Sequence, residues 1–239
     1  MKKSIPVLII LWVLSAGVSS QLFGRVDGEL SYLSSYIWRG FDLNPRHWPV
    51  VQPSVFFKFG DSGLALQMKG IFSFHDREVN EFNGVLSYSL TVRDAVRLTG
   101  GLIHYGWYFS EDFSFGYDTS HEIFISTAFP TVPLHPALTL YYDFHNGDGL
   151  YVELKAGHFF PLRKWLGIRA SGTLGYNGGQ WLTDRADSGL SDLDLMVEIP
   201  VKLGPVSLTP FIRYTSVLLE AIGKESFPRY GLTISLLKK

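Results

Sequence analysis

Seven histidines, 22 acidic side chains, 21 basic ones and no cysteine make up the reactive inventory of this 239-residue chain. Without cysteine there is no disulfide framework and no thiolate metal site. A hydrolytic dyad built along one extended segment needs a base and a hydroxyl two positions apart, because alternate side chains share a face. His104 is followed at that spacing by Gly106, His121 by Ile123, His135 by Ala137, His145 by Gly147 and His158 by Phe160. His47 and His75 stand singly as well, so no histidine pattern supports a metal site. Asn146-Gly147-Asp148-Gly149 lacks the spacing and terminal Glu of a calcium loop and reads as a tight hairpin turn. The sequence therefore predicts no catalytic residue, no metal and no cofactor.

What the charged residues do share is a spacing. On one phase from Leu64 stand Leu64, Leu66, Met68, Phe72 and Phe74, and on the other Gln67, Lys69 and Ser73. A period of two marks a strand. The pattern recurs at Leu86, Tyr88, Leu90 and Val92, at Leu138, Leu140, Tyr142 and Phe144, and at Leu193, Leu195, Val197 and Ile199. Twelve strands are predicted, near 25–38, 50–59, 63–74, 82–92, 95–108, 119–129, 137–145, 149–160, 166–177, 191–201, 205–216 and 228–237. In the fifth, Gly100-Gly101 is expected to carry a bulge, since Leu98 and Leu102 fit one register and Tyr105 and Trp107 the other.

Connections alternate between long (39–49, 75–81, 109–118, 146–148, 178–190, 217–227) and short (60–62, 93–94, 130–136, 161–165, 202–204). An even strand number with long loops on one rim predicts an all-β transmembrane antiparallel barrel. No internal run approaches the roughly 20 apolar residues of a membrane helix. Charges on the lipid face cost roughly 2–4 kcal/mol each at midplane. Lys58, Lys69, Arg97, Glu122, Asp143, Glu153, Lys155, Arg169, Asp192, Asp194, Glu198 and Arg213, with Arg25, Asp27 and Glu29, are therefore expected to line the lumen. Aromatic girdles are expected at both rims. Tyr36, Trp38, Phe72, Phe74, Trp107, Tyr108, Tyr142, Phe144, Tyr176, Trp181 and Tyr230 would ring the long-loop rim, and Phe57, Phe59, Phe129, Phe159, Phe160 and Trp165 the other.

Residues 1–20 carry Lys2 and Lys3, an apolar stretch from Ile5 to Leu14 and then small residues, the anatomy of a secretory signal peptide cleaved after Ser20. The barrel then occupies 21–239, located in the bacterial outer membrane. Without Lys2 and Lys3 the basic side chains fall short of the acidic ones by three, so nucleic acid is not an expected partner.

Two segments carry family resemblances. Arg229-Tyr230-Gly231-Leu232-Thr233-Ile234-Ser235-Leu236 resembles the C-terminal strand signal read by the outer-membrane barrel assembly machinery, with Tyr230, Gly231, Ile234 and Leu236 at its defining positions. It departs in ending on Leu236 rather than an aromatic and in trailing Leu237-Lys238-Lys239. Leu33-Ser34-Ser35-Tyr36-Ile37-Trp38-Arg39-Gly40-Phe41-Asp42 resembles the first-strand motif of the TorF-type porin family, Gln52-Pro53 supplying its second element and Ser35 replacing the usual acidic or amide residue. That resemblance covers the first quarter of the mature chain, and it implies an outer-membrane barrel with no catalytic residues.

The expected function is a porin for small polar solutes, embedded among outer-membrane lipid and lipopolysaccharide. One alternative is a closed barrel whose outer loops, with Trp48, Phe113, Phe115, Tyr117, Trp181 and Phe227, bind a surface partner or lipopolysaccharide. A lipid hydrolase is a third, disfavoured by the missing dyad. Asp192, Asp194 and Glu198 share one face of one strand, with Arg169 and Arg213 on its neighbours. They either set a cation preference or form a salt-bridge ladder that closes the lumen.

Overall fold

A computed structural model describes residues 24–43, 48–74, 79–107, 118–223 and 225–237. The leader, the loop carrying Phe113, Phe115 and Tyr117, and Tyr108, His47, His75, Lys238 and Lys239 lie outside the described residues.

In chain order the strands are β1 (Arg25–Leu33), β2 (Ile37–Trp38), β3 (Phe41–Asp42), β4 (Val50–Lys58), β5 (Leu64–Ser73), β6 (Val79–Val92), β7 (Val96–Trp107) and β8 (Asp118–Ala128). They continue as β9 (Ala137–Asp143), β10 (Gly149–Arg163), β11 (Leu166–Gly178), β12 (Gly189–Glu198), β13 (Val201–Leu203), β14 (Val206–Val217) and β15 (Ser226–Leu237). Each wall strand pairs antiparallel with its neighbours, and β1 meets β15 from Asp27↔Leu237 to Leu33↔Gly231, which closes the sheet. β12 and β13 are two lengths of one wall strand, interrupted at Ile199-Pro200, where proline has no N–H for the ladder. With β2 and β3 set apart as a separate sheet, the described residues form a closed barrel of twelve strands.

The period of two sorts the side chains as lipid and water demand. Large aliphatic residues point outward and stay exposed: Ile212 is 68% exposed, Ile125 55% and Leu195 51%. In water such a band would drive aggregation, whereas around a membrane barrel it is the hydrocarbon contact. At the short-turn rim Arg93 and Asp94 both take left-handed φ, 50° and 55°, the primed geometry that two-residue hairpins favour.

Three expectations are corrected. β7 pairs with β6 and β8 without any register shift, so Gly100-Gly101 carries no bulge. Gly101 is instead a flat spot: a Cβ there would strike the Phe124 ring, which lies over it. The irregularities fall at Ile71/Phe72, Pro161/Arg163 and Gly175/Tyr176. The first strand stops at Leu33 rather than 38, because the chain then turns off the wall. β10 runs on to Arg163, shrinking the 161–165 turn to Lys164-Trp165.

Candidate functional site

Beyond Leu33 the chain leaves the barrel wall and folds into the lumen as a miniature hairpin. β2 pairs with β3 through Trp38↔Phe41, joined by Arg39-Gly40 with φ of 51° and 87°. Both angles lie in the left-handed region that a type I′ turn requires. Glycine supplies the second at no steric cost, and Arg39 bears the strain of the first. A Cβ on Gly40 would sit 3.5 Å from the Asp192 side chain and 3.6 Å from that of Val217, which puts the tip against the wall formed by β12 and β14.

Arg39 reaches across to the opposite wall. Its guanidinium donates to both oxygens of Glu122 on β8, at 2.6 and 3.1 Å, and to the Gln180 side-chain oxygen. The same carboxylate accepts from the Tyr105 hydroxyl at 3.0 Å and from Gln180 Nε2. Gln180 is fixed in turn by Asn177, whose Oδ1 accepts from the Gln180 N–H at 2.7 Å. Above and below the guanidinium lie the rings of Tyr141, Tyr151 and Trp38, at 4.2, 4.4 and 4.6 Å. The Arg39 side chain is 7% exposed and that of Glu122 0%. A bidentate pair with a further amide acceptor and aromatic faces around the guanidinium is an arrangement in which burying both charges is tolerable.

Two further anchors hold the hairpin. Tyr36 donates to Glu81 on β6 at 2.9 Å, and Asn83 donates to the other oxygen of that carboxylate at 2.6 Å. Arg229 on β15 donates to the Ile37 carbonyl at 3.3 Å. The plug is thus tied to β6, β8 and β15, and the Trp38 ring packs edge-on against Tyr105 of β7 at 5.7 Å.

Toward the short turns, below the hairpin, lies a cavity of about 290 Å³. Lys69, Glu153, Asp192, Asp194, Arg213 and Arg229 give it charges of both signs, and Tyr105, Tyr141 and Tyr151 give it aromatic walls. Arg213 grips Asp194 through both nitrogens, Nε at 2.7 Å, and Arg229 reaches the same carboxylate at 3.2 Å. Asp192 accepts from the neutral hydroxyls of Tyr151 at 3.0 Å and Ser191 at 2.6 Å. Glu198 pairs with Arg169 at 3.2 Å near the short-turn rim, where the arginine is half exposed.

The residues expected in the lumen therefore occupy three settings. Lys69, Glu153, Asp192, Asp194 and Arg213 face the cavity. Glu122 and Asp143 lie on the inner face but are sealed from water, Asp143 accepting from the Ser120 hydroxyl at 2.6 Å and the His145 N–H at 2.9 Å. Lys58, Arg97, Lys155, Arg169 and Glu198 belong to the short-turn half of the barrel. Sequence reasoning missed Arg39, Tyr36, Glu81, Gln180 and Arg229 as lumen residues. The Arg39-Gly40 dipeptide between Trp38 and Phe41 was the available signal, since X-Gly flanked by aromatics is hairpin chemistry.

The girdle assignment changes for the same reason. Phe74, Tyr142, Phe144, Tyr176 and Tyr230 are exposed on the outer surface near the long loops, and Phe129, Phe160 and Trp165 near the short turns, whereas Phe159 shares the lumen phase of Glu153 and Lys155 and lies 5.7 Å from the Arg169 guanidinium. Tyr36, Trp38, Trp107 and Trp181 point inward, Trp107 stacking on Tyr105 and meeting Trp181 edge-on at 5.3 Å. Phe57 is buried, 7% exposed.

Comparison with known proteins agrees with this architecture. No protein-family model and no curated protein matches the chain. Among solved structures, a KdgM porin superposes with a TM-score of 0.59 at 12% identity, covering 89% of this chain and 99% of that one. A NanC porin gives 0.53 at 11% identity, with coverage of 88% and 98%. KdgM in complex with disordered oligogalacturonate gives 0.57 at 13%, with coverage of 90% and 99%. The fold is that of a twelve-stranded outer-membrane β-barrel of the porin type.

Proposed function

We propose that the protein is an outer-membrane channel for small polar solutes, narrowed by the β2–β3 hairpin. One observation carries this reading: a barrel interior that is charged and open below the hairpin, about 290 Å³ of space walled by Lys69, Glu153, Asp192, Asp194, Arg213 and Arg229. A barrel that needed only a core would fill this volume with apolar side chains. The similar KdgM structure holding oligogalacturonate makes an acidic sugar a sensible probe. Here, however, Arg39 and Arg213 are already matched to carboxylates, which favours no strong preference for anions.

Residues 1–20 act as the export leader in this reading, the β15 motif around Tyr230, Gly231, Ile234 and Leu236 as the assembly signal, and the Leu33–Asp42 segment as the feature that resembles TorF-type porins. Liposomes carrying the purified protein should swell in isotonic glycerol or a small monosaccharide, and swelling no faster than protein-free liposomes would contradict it. The rival, a closed barrel with binding loops, is favoured by one observation, the buried Arg39–Glu122 clasp across the lumen. Failure of swelling in both the wild type and a hairpin-deleted variant would select it.

A further inference from the structure

On the outer surface, just below the long-loop rim, β7 and β8 place two histidines opposite each other. His104 and His121 are direct partners in the ladder. They share the outward phase of Leu102 and Ile123, which are 50% and 48% exposed. Their Nδ1 atoms are 3.3 Å apart and their ring centroids 5.0 Å. Two imidazole nitrogens bound to one metal ion at 2.0–2.1 Å and a tetrahedral angle stand about 3.3–3.4 Å apart. The ladder therefore holds this pair at chelating separation with no change of backbone. Below them the apolar band continues through Ile123 and Tyr142, so the pair sits where hydrocarbon gives way to headgroups and water reaches the surface.

We propose that His104 and His121 form a two-point chelate for a divalent transition-metal ion of the imidazole-preferring kind, Zn²⁺, Ni²⁺ or Cu²⁺. No group of three His, Asp or Glu is gathered to hold a metal among the described residues, so water completes the coordination shell. Without metal, one Nδ1–H donates to the other ring's Nδ1. On metal binding that proton passes to Nε2 of its own ring, so both rings remain neutral imidazoles, protonated at Nε2 and bound through Nδ1. The two other close histidine pairs lack these features: the His135 and His158 rings are parallel at 5.9 Å with His135 Nδ1 occupied by the Pro130 carbonyl at 2.6 Å, and the His145 ring, 5.4 Å from that of His121, has its Nδ1 occupied by the Thr119 carbonyl at 2.8 Å.

The test is calorimetric titration of ZnCl₂ into the folded, untagged barrel in detergent micelles. One Zn²⁺ should bind per barrel with a micromolar dissociation constant. His104→Ala and His121→Ala should each weaken it by at least about tenfold, while His135→Ala leaves it unchanged. Heat-modifiable gel mobility establishes that each variant is folded, and His104→Asn or His121→Asn replaces any that is not. Cu²⁺ added to the wild type should give an electron paramagnetic resonance spectrum with coupling to two nitrogens. Absence of saturable binding, binding that survives either substitution at 104 or 121, or binding abolished by His135→Ala would overturn the proposal.

Discussion

Arg39 is the residue on which the state of the lumen turns. Its guanidinium cannot shed its proton, and it lies among three aromatic faces with Glu122 as its charged partner. Truncating one member of such a buried pair costs about 3–5 kcal/mol, because the survivor is left as an uncompensated charge. The hairpin has its own exit from that penalty, which is to leave the lumen. Arg39→Ala should therefore raise single-channel conductance and add open-state noise, with little loss of heat-modifiable barrel. An unchanged current trace would show that the hairpin is held without its tip. A second prediction concerns Asp194. Arg213 and Arg229 both bind it, so Asp194→Asn uncovers two cations, whereas Glu198→Gln frees only a half-exposed Arg169. In a salt gradient, Asp194→Asn should shift the reversal potential toward anion preference, more at low than at high ionic strength. Glu198→Gln should shift it less, and the opposite ranking would refute the assignment.

At the scale of elements, β15 does two jobs, closing the barrel and holding the plug through Arg229. Gly231 shows why the terminal motif wants glycine: a Cβ there would strike both the Tyr32 carbonyl and the Phe211 ring, at the seam where β14, β15 and β1 meet. Gly231→Ala should reduce the folded, heat-modifiable fraction recovered from membranes, while removal of Lys238 and Lys239 is tolerated. Equal yields of Gly231→Ala and wild type would count against a packing role for the glycine. The wall strands were legible in the sequence because each has lipid on one side and polar space on the other, so alternation survives along its length. The β2–β3 hairpin was not. Tyr36 and Trp38 continue the even-numbered phase of Leu30 and Tyr32 and so look like more of the first strand. Arg39-Gly40 could mark a turn there, but that the turn runs inward is shown by the contacts to Glu81, Tyr105 and Glu122. Tyr105 and Trp107 misled for the complementary reason. They are aromatic on the inner phase, which mimics a register switch, yet Tyr105 faces Trp38 of the hairpin and Trp107 packs on Tyr105 and Trp181. Arg229 was hidden inside a motif read only for its glycine and apolar positions.

For the whole molecule, twelve strands enclose more space than side chains from the wall alone fill, and the chain spends its first outer connection on closing the upper part of it. The barrel itself should resist sodium dodecyl sulfate until heated, since every wall strand is bonded on both edges. Identical mobility of boiled and unboiled samples would exclude a closed barrel. The central claim is that this is a solute channel constricted by its own inward hairpin. Planar-bilayer recording of the wild type beside a variant in which residues 36–42 are replaced by a short Gly-Ser turn tests it most directly. The wild type should show small, discrete conductance steps, and the variant larger ones of the same sign of selectivity. Silence from both, in protein that remains heat-modifiable, would contradict the account.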